Sequence, residues 1–473
     1  MLEINNQYTL FKRQIDTEVL KSFFNGTLEE DVDKLPIKLV PKSKNTSRCC
    51  IYKERAMVRY RIMEFLGINI EKDDDEYKPL SEYARAVLNE DPEELPVLTT
   101  ISAGCYGCPP EQYRISDACR GCFARPCTVN CPKDAIVFIE GKAHIIEEKC
   151  IKCGKCYGVC PYHAVLHLPV PCEAACPVGA VHKNEEGVVE IDHDKCISCG
   201  KCTMSCPFGA IAERSGIMPV VKMLKRKEKT IAMIAPSIEG QFPGTLSQIK
   251  SALLKVGFSK VMEVARGAEV TSVTEAKEVE ERIENNEGYM TTSCCPAYMG
   301  LINKHLTFLK PIHSTARTPM GYTAEIAQKE FPEYKRIFIG PCLAKRVEGA
   351  YTPEVDGVIN YSELAALFLA LDIDVVTQEK ADLGDTSAYK DCRNFAITGG
   401  VASCVLCRAE NKDKLRTLKI DGLDKKNVML MRTWAKKPPE VDLVEVMCCE
   451  GGCIAGPGTI AKPSLAMRMR GRE

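Results

Sequence analysis

The chain has 473 residues, too many for one compact core, and the length predicts two or three domains. Its formal net charge of -1 gives no indication of a nucleic-acid or membrane-surface partner. The 27 cysteines are grouped in C-x-x-C patterns, which predicts metal clusters in a reducing compartment rather than disulfides. The sequence shows no secretory leader pattern and no apolar run of membrane-spanning length. We therefore expect a soluble, cytoplasmic protein.

Residues 1–100 are predicted to form a helical N-terminal region. The region is rich in charge, and residues 52–66 carry apolar side chains at helical spacing. Cys49 and Cys50 are adjacent but have no partner motif, so we expect them to be ordinary thiols. The region contains no motif that indicates chemistry.

Residues 101–168 carry two cysteine runs that predict a ferredoxin-like domain with two 4Fe-4S clusters. The runs are Cys119-x2-Cys122-x4-Cys127-x3-Cys131-Pro and Cys150-x2-Cys153-x2-Cys156-x3-Cys160-Pro. In such a pair the last cysteine of each run binds the cluster of the other run. The predicted ligand sets are Cys119, Cys122, Cys127 with Cys160, and Cys150, Cys153, Cys156 with Cys131. Tandem runs that end in proline favour iron–sulfur clusters over zinc.

Residues 169–218 are predicted to form a second ferredoxin-like 4Fe-4S domain. The runs are a degenerate Cys172-x3-Cys176-Pro and a complete Cys196-x2-Cys199-x2-Cys202-x3-Cys206-Pro. Cross-ligation predicts a cluster on Cys176, Cys196, Cys199 and Cys202. A fourth cluster would need Cys172 and Cys206 together with the unused pair Cys105 and Cys108. The alternative is that Cys105 and Cys108 bind zinc or nothing, and that Cys172 and Cys206 are ordinary thiols.

Residues 229–473 alternate short β-branched runs with helical patterns, which predicts an α/β domain with buried parallel strands. The predicted strands begin at residues 230, 260, 336, 394, 428 and 441, and the predicted helices cover residues 245–256, 270–284 and 316–330. The basic segment 219–228 is predicted to be the linker into this domain. Its charge is expected on a solvated face, and docking of an acidic electron carrier is the alternative.

Three further cysteine motifs follow predicted strands of the last domain. They are Thr292-Ser-Cys-Cys-Pro296, Pro341-Cys-Leu-Ala-Lys-Arg-Val-Glu348 and Met447-Cys-Cys-Glu-Gly-Gly-Cys453. In α/β domains, sites gather at the carboxyl ends of strands. The motifs are therefore predicted to converge on one metal or cluster site.

In this order the three motifs resemble the active-site signatures of the [FeFe]-hydrogenases, and the resemblance covers most of the chain after about residue 100. It implies reversible H2 oxidation and proton reduction, with electrons exchanged with ferredoxin, and hydrogenase maturation proteins as partners. The implied cofactor is a 4Fe-4S cubane joined to a two-iron site with CO, cyanide and dithiolate ligands. Carried onto this chain, the cubane ligands are Cys295, Cys342, Cys449 and Cys453, with Cys453 as the bridge.

The resemblance also implies a proton path that ends at Cys294. Its other members are Glu275, Glu278, Ser314 and, at the outer end, Arg282. From the sequence alone, the three charged residues would form a solvated face of one helix, because they lie at i, i+3 and i+7.

The resemblance places the two cyanides of the two-iron site as well. Lys345 would hold one cyanide, and the segment Ala235, Pro236 and Ser237 would hold the other. Glu348 matches a residue of the family signature, for which a simple salt bridge is an equal alternative.

The sequence departs from the usual family pattern at several positions. Gly340 replaces a methionine, Tyr298 a tryptophan, and Cys448 and Glu450 replace alanine and proline. Because the ligands and relay residues are kept, these changes concern rate, catalytic bias and oxygen tolerance more than the reaction. The alternatives are a hydrogen-sensing protein, an iron–sulfur assembly protein and a simple electron-transfer protein.

Overall fold

The fold is described from a computed structural model covering residues 7–43, 45–46, 48–73, 75, 77–386, 389–411 and 414–471. The first six residues of the predicted N-terminal region and the last two of the predicted catalytic domain lie outside these ranges. The helices are α1 (Gln7–Asn25), α2 (Leu28–Asp31), α3 (Leu35–Leu39), α4 (Ile51–Phe65), α5 (Leu80–Asn89), α6 (Pro126–Val129), α7 (Lys155–Val159), α8 (Pro171–Ala175), α9 (Lys201–Ser205), α10 (Ile217–Lys225), α11 (Leu246–Val256), α12 (Ala265–Glu284), α13 (Pro296–Lys304), α14 (Pro319–Glu330), α15 (Ala344–Ala350), α16 (Tyr361–Ala370), α17 (Gly400–Arg408), α18 (Lys425–Thr433) and α19 (Pro463–Met469).

The strands are β1 (Leu98–Thr100), β2 (Gln112–Ile115), β3 (Ile136–Ile139), β4 (Lys142–Ile145), β5 (Val165–Leu168), β6 (Val181–Lys183), β7 (Val189–Ile191), β8 (Ile211–Glu213), β9 (Thr230–Ile234), β10 (Lys260–Glu263), β11 (Met290–Thr291), β12 (Lys335–Ile339), β13 (Gly357–Ile359), β14 (Thr417–Asp421) and β15 (Leu443–Met447). Short 3-10 helices include Pro236–Ile238, Asp391–Ala396 and Cys453–Ala455. Among the described residues, none of the helices combines the length and apolarity needed to span a bilayer.

The N-terminal region is helical, as predicted. Helices α1 to α5 pack together, and α1 also lies along α16 of the last region. Apolar side chains of both regions share one core, which runs from Ile15 and Leu20 to Leu364 and Phe368. The N-terminal helices are therefore part of the same packed body as the last region.

The cysteine-rich region contains four antiparallel two-stranded pairs. Within residues 112–168, β2 pairs with β5 and β3 pairs with β4. Strand β1, which precedes Cys105, pairs with β8, which follows Cys206. Between them β6 pairs with β7. The outer pair thus closes around the whole cysteine-rich region, whereas the predicted boundaries at residues 101–168 and 169–218 stay a prediction.

The last region contains two parallel sheets, which confirms the predicted α/β architecture. The first has the strand order β10-β9-β12-β13, and the second has the order β11-β15-β14. Their central strands β9, β12 and β15 are almost entirely buried, as expected of strands covered on both faces. Because all strands of a sheet run the same way, their carboxyl ends lie at one edge.

Two predicted strands are wrong. The one at residue 428 is helix α18, which begins after Asp424, whose side chain accepts the Asn427 N–H. Val428 and Met431 are buried while Met429 is 66% exposed, so the apolar residues follow a helical period that the short run concealed. The one at residue 394 is part of the 3-10 helix Asp391–Ala396. Strand β15 already has β11 on one side and β14 on the other, so the segment at residue 394 cannot pair with it.

The basic segment 219–228 is not an extended linker, because most of it belongs to α10. Met218 and Val221 are fully buried, and Leu224 is nearly so. The Lys222 ammonium pairs with Asp91 and donates to the Val87 carbonyl, and the Lys225 ammonium donates to the Phe23 carbonyl at 2.6 Å. These two cations hold the N-terminal helices, which leaves fewer charges for an acidic carrier.

A buried ion pair joins the cysteine-rich region to the catalytic helices. Arg346 on α15 donates to Glu363 on α16 at 2.6 Å, and the two side chains are 7% and 1% exposed. Arg346 also donates to the carbonyl of Arg214, and Glu363 accepts from the Ser215 hydroxyl and the Gly216 N–H. The segment that leaves β8 is thus held by both members of the pair.

Arg346→Met should destabilise the protein by roughly 3 kcal/mol, because it leaves the Glu363 carboxylate buried without its cation. Thermal unfolding of the two proteins at equal iron content measures the difference. The control is Arg416→Met, since Arg416 pairs with Asp442 at the surface with 63% of its side chain exposed. That change should cost less than about 1 kcal/mol. Equal effects of the two changes would contradict a structural role for the buried pair.

Candidate metal centre and active site

The three cysteine motifs of the last region meet at one cavity. The cavity has a volume of about 90 Å³. The cysteines that line it are Cys199, Cys294, Cys295, Cys342, Cys448, Cys449 and Cys453. All four predicted cubane ligands are among them, although the first and the last, Cys295 and Cys453, are 158 residues apart in the chain.

Local structure explains how each predicted ligand reaches the cavity. Cys295 follows β11 and precedes α13, which starts with Pro296. Cys342 follows β12 and Cys449 follows β15. Cys453 opens a 3-10 helix after Gly452, whose φ is 95°. A Cβ at residue 452 would lie 2.6 Å from the backbone of Ile397, so both the conformation and the close approach require glycine.

The electrostatics of these thiols favour a bound cation. Burial raises the pKa of Cys295 and, together with the neighbouring cysteines, holds that of Cys342 well above its usual range. The same causes raise the pKa of Cys453 to about 12. A hydrogen bond with Cys448 lowers the pKa of Cys449. Several buried thiolates at one point need compensating metal charge, and four thiol donors fit a 4Fe-4S cluster.

Glu275 is the buried acid beside this cavity. It is 0% exposed, and its Oε1 atom accepts the Ser293 N–H at 2.9 Å and the Ser293 hydroxyl at 3.2 Å. Its Oε2 atom has no partner among the described residues. Burial raises the pKa of Glu275 to about 7. The solvated face expected from the helical spacing is therefore absent at this position.

Cys294 lines the same cavity as the predicted cubane ligands. Burial and the nearby Glu275 carboxyl hold the pKa of Cys294 well above its usual range. Cys294 therefore keeps its proton near neutral pH.

The other predicted relay residues lead from Glu275 toward the surface. Ser314 is 1% exposed, and its N–H donates to the Thr291 carbonyl at 2.8 Å. Glu278 accepts the N–H of Thr315 at 3.1 Å and also its hydroxyl. Arg282 donates to the Pro311 carbonyl at 2.5 Å, with 18% of its side chain exposed. Burial thus decreases along the predicted path.

Two polar residues of this path were missed by the sequence reasoning. Ser293 holds Glu275 through two hydrogen bonds, and Thr315 holds Glu278. Ser293 directly precedes the predicted residue Cys294, and Thr315 directly follows the predicted residue Ser314. Adjacency in the chain was the only available signal, because it takes the fold to show which carboxylate each hydroxyl reaches.

The predicted cyanide-binding groups also line the cavity. Lys345 is 7% exposed, lines the cavity and donates to Glu348 at 2.6 Å and to the Thr318 hydroxyl at 2.9 Å. The salt bridge considered for Glu348 is therefore present. Ala235, Pro236 and Ser237 also line the cavity. The Ala235 N–H donates to the Ile339 carbonyl, so it is not available to a ligand.

Within that segment the Ser237 hydroxyl is the polar side chain. It lies 2.7 Å from the Tyr361 hydroxyl, so one of the two donates to the other. If Tyr361 donates, Ser237 keeps its own proton for a ligand.

The missing side chain at Gly340 is compensated by a neighbour. A Cβ at residue 340 would lie 2.5 Å from the ring of Phe338, which lines the cavity. The ring therefore fills the space beside Gly340. This wall remains apolar even though the sequence departs from the family pattern there.

The four cysteine runs share one local structure. In each, the last cysteine is followed by Pro-x-x-Ala, and the alanine N–H donates to the cysteine sulfur. The distances from nitrogen to sulfur are 3.3 Å for Ala135 and Cys131, 3.4 Å for Ala164 and Cys160, 3.2 Å for Ala180 and Cys176, and 3.3 Å for Ala210 and Cys206. The degenerate run that ends at Cys176 is thus built like the complete ones.

The predicted ligand sets are brought together to different degrees. Cys131, Cys150, Cys153 and Cys156 line one small cavity. Cys119, Cys127 and Cys160 pack in one apolar cluster, and Cys122 is half-buried. Cys176, Cys196, Cys199 and Cys202 are close enough to affect one another's titration. Cys105, Cys108, Cys172 and Cys206 pack in one apolar cluster, which also includes members of the preceding set.

The thiol-lined cavity and the ferredoxin-like runs are those of an iron–sulfur protein. Residues 228–457 match the model of the iron-only hydrogenase large subunit, C-terminal domain. Residues 143–166 and 188–211 match models of 4Fe-4S binding domains. The chain is an [FeFe]-hydrogenase-like protein that carries iron–sulfur cofactors.

Several known proteins are similar to this chain. It is 25% identical to iron hydrogenase 1 of Clostridium pasteurianum over 397 residues, 69% of this chain and 67% of that protein. It is 27% identical over 310 residues to the NADP-reducing hydrogenase subunit HndD of Solidesulfovibrio fructosivorans, and the match spans about half of each, 53%. A shorter match of 134 residues, 27% identical, is to the cytosolic Fe-S cluster assembly factor NAR1 of Candida dubliniensis, 27% of this chain and 23% of that protein. The solved [FeFe]-hydrogenase structure HydA(deltaEFG) aligns at 18% identity with a TM-score of 0.45, over 53% of this chain and 87% of that one.

The raised pKa of Glu275 predicts a pH dependence of stability. Its pKa is about 7 in the folded protein against 4.5 for the ordinary carboxyl. The protonated group therefore contributes stability that is complete below pH 4.5 and is lost as the pH rises to 7. Glu275→Gln cannot titrate, so its stability relative to the unmutated protein should increase over this window by on the order of 3 kcal/mol.

Unfolding measured for both proteins between pH 5 and pH 8 checks this prediction. The test uses only how the difference in unfolding free energy between the two proteins changes with pH. Any pH-independent cost of burying the amide of the Glu275→Gln variant therefore cancels. Parallel stability curves would show that Glu275 is not the buried, neutral acid that the structure indicates.

Proposed function

We propose that this protein is an [FeFe]-hydrogenase that interconverts two protons and two electrons with H2. The observation that carries the proposal is the cavity that gathers Cys295, Cys342, Cys449 and Cys453 beside Cys294. A fully buried acid, Glu275, lies near the free thiol of Cys294. A protein that only stores electrons has no need of a second, buried acid at its cluster.

The chain's own groups divide the task between binding and proton delivery. Cys295, Cys342, Cys449 and Cys453 would hold the cubane, with Cys453 as the bridge to the two-iron site. That site, when bound, supplies the metal at which H2 is formed or split. Lys345 and Ser237, which both line the cavity, would orient its cyanides. The apolar lining, including Phe338, keeps bulk water away from it.

Protons would reach the cavity through groups whose burial increases from Arg282 near the surface to Glu275. Arg282 and Glu278 lie at the outer end, Ser314 and Glu275 lie inside, and Cys294 is the last donor. A carboxyl with a pKa of about 7 accepts and releases a proton near neutral pH, which suits a relay. Ser293 and Thr315 fix the two carboxylates and are added here to the proposed path.

Electrons would enter through the ferredoxin-like clusters from ferredoxin or a similar carrier. Maturation proteins would be needed to install the two-iron site, and the proposed compartment is the cytoplasm. The cluster set that contains Cys199 adjoins the cavity, because Cys199 itself lines it. The cluster bound by this set is therefore proposed to transfer electrons directly to the cubane.

An iron–sulfur assembly protein is the second candidate, and the match to NAR1 favours it. Such a protein needs the cubane ligands but neither a free thiol nor a buried lysine in the same cavity. Infrared spectra of the matured protein separate the two candidates, because only a two-iron site gives CO and cyanide stretches. Matured protein without those bands would favour the assembly role.

The adjacent thiols Cys294 and Cys295 should respond differently to replacement. Cys295→Ala removes a cubane ligand and should prevent stable assembly of the active-site cluster. Cys294→Ala should keep the cluster and its infrared bands, while H2 turnover in both directions falls by about 10⁴-fold. Iron analysis, infrared spectra and turnover assays on each variant check both outcomes.

Two further variants at residue 294 control for a purely steric effect. Cys294→Asp restores an ionisable group of similar reach and should recover part of the rate. Cys294→Ser should recover little, because a serine hydroxyl is a poor acid near neutral pH. Cofactor loading must be matched. If the fully loaded Cys294→Ala protein turned over at nearly the normal rate, the roles of Glu275, Glu278, Ser314 and Arg282 would fall with that of Cys294.

The strand pairing supports the proposed fourth cluster. Cys105-x2-Cys108 follows β1, and Cys172-x3-Cys176-Pro precedes β6, so these two pairs form one run interrupted by residues 112–168. This interrupted run is followed by the second run, Cys196 to Cys206, and then by β8, the partner of β1. Cross-ligation in this nested arrangement assigns Cys206 to the set with Cys105, Cys108 and Cys172.

With this cluster, the matured protein should hold about 22 irons, four cubanes plus six at the active site. Replacing Cys105 and Cys108 together with alanine should remove about four irons and leave the active-site infrared bands intact. Iron and zinc analysis of the double variant measures this. An unchanged iron content would refute the fourth cluster. If the double variant instead lost one zinc ion, Cys105 and Cys108 would belong to a zinc site.

A further inference from the structure

Two buried thiols and a carboxylate meet at a point that belongs to none of the sites described above. Cys392 lies on the 3-10 helix Asp391–Ala396 and Cys404 lies on α17, and they are 0% and 2% exposed. Their two sulfur atoms and one carboxylate oxygen of Asp391 all lie within 4.8 Å of one another. Neither thiol is in a proposed cluster set, and the proposed mechanism uses none of the three residues.

Local contacts hold the three groups in place. Arg408, the last residue of α17, donates to both carboxylate oxygens of Asp391, at 2.6 Å and 3.1 Å. The Cys404 thiol donates to the Asp391 carbonyl at 3.5 Å, and the Ser272 hydroxyl on α12 lies 4.0 Å from the Cys392 sulfur. The Asp391 side chain is 48% exposed, so this group of donors is open to solvent on one side.

The donor types favour zinc. Calcium and magnesium take oxygen ligands, whereas thiolates and a carboxylate together are ligands of Zn2+. A tetrahedral zinc with Zn–S distances of about 2.3 Å needs sulfur atoms roughly 3.8 Å apart. Atoms already within 4.8 Å of one another therefore need to move by only about 1 Å. Two converging thiols are too few for a 4Fe-4S cluster, which takes four thiolates.

The charges at this point also suit a divalent cation. Two thiolates and the Asp391 carboxylate carry three negative charges, of which Zn2+ offsets two and the Arg408 guanidinium offsets the third. Each carboxylate oxygen has two lone pairs, so Asp391 can bind a metal while it accepts from Arg408. Hydrogen-bonded partners of this kind orient metal-bound carboxylates.

A disulfide between Cys392 and Cys404 is the alternative. It would give the neighbouring carboxylate and guanidinium no part in the chemistry. The grouping of the other cysteines into cluster motifs also predicts a reducing compartment, in which stable disulfides are rare. The donor set therefore favours a metal.

We propose that Asp391, Cys392 and Cys404 bind one Zn2+ ion, with a water molecule at the fourth position. The two thiols lose their protons to solvent when the ion binds. The zinc joins the 3-10 helix that carries Cys392 to α17. Phe395 and Ala396 of the same 3-10 helix line the active-site cavity, so the ion fixes part of the cavity wall and takes no part in the H2 chemistry.

The test uses the full-length, iron-loaded chain equilibrated with Zn2+ and freed of excess metal. Iron loading fills the cluster sites, so that zinc does not occupy them. Metal analysis should find about one zinc ion, and X-ray absorption at the zinc edge should show two sulfur atoms at about 2.3 Å and lighter atoms at about 2.0 Å. Added Zn2+ should raise the thermal unfolding midpoint and slow hydrogen exchange in residues 391–408.

Two variants and a matched control identify the ligands. The Cys392→Ala, Cys404→Ala double variant should lack this zinc and keep its iron. Asp391→Asn keeps both thiols at a half-exposed position and should weaken zinc binding by at least about 10-fold, measured by competition with a chelator. It stays informative if the double variant does not fold. In the control, Cys407→Ser, the zinc should remain, because Cys407 is exposed on the same helix and lies outside the group.

Several results would overturn the inference. They are an unmutated chain without zinc, equal zinc in the double variant, unchanged zinc affinity in Asp391→Asn, and loss of the zinc in Cys407→Ser. A disulfide between Cys392 and Cys404 in protein purified without reductant would also overturn it. So would a zinc that disappears when Cys105 and Cys108 are replaced, because it would belong to the cysteine-rich region.

These readouts are independent of the proposed hydrogenase activity. Zinc content, zinc-edge spectra and hydrogen exchange can be measured whether or not the two-iron site is installed. The CO and cyanide bands report on the two-iron site alone. Normal infrared bands in a chain that binds no zinc would therefore reject only the zinc site.

Discussion

Mutual repulsion of buried thiolates is the constraint on which the catalytic region depends. Burial and neighbouring cysteines raise the pKa of Cys295, Cys342 and Cys453, so each of these thiols keeps its proton until a metal offsets the charge. A single helix or hairpin could not present such a group from four positions around one cavity. Two parallel sheets can, because β11, β12 and β15 all end at it. The fold and the cluster therefore stabilise each other.

The same loss of solvation that favours a cluster also affects the charge states of Glu275 and Lys345. Glu275 has its pKa raised to about 7 by burial, and Lys345 is buried with Glu348 as its partner. An anionic ligand entering the cavity would meet the ammonium group of Lys345, which lines it. Burial thus sets the protonation of Glu275, while the ion pair with Glu348 limits the cost of burying the lysine.

The sequence contains the ligands and the parallel strands of the site but not its polar contacts. Cysteine spacing predicted the ferredoxin-like runs, and β-branched runs predicted β9, β10, β12 and β15, since these features are local. The pattern at residue 428 was wrong because four apolar residues fit a strand and a helix equally, and only the burial of Val428 and Met431 decides. The roles of Ser293 and Thr315 depend on which carboxylates the packing of α12 brings to them, and no local pattern carries that information.

The N-terminal helices acquire a physical role from the charges buried beneath them. Lys12 pairs with Asp16 and Glu64, and Arg61 pairs with Glu64 and donates to the carbonyl of Gly209 in the cysteine-rich region. Burial raises the pKa of Asp16 to about 7, which shows how little water reaches this network. Buried ion pairs are costly to separate, so they favour one arrangement of the elements they join. The helices thus hold the last turn of the cysteine-rich region in place, and Cys199 can line the cavity only if that region keeps one position relative to β15.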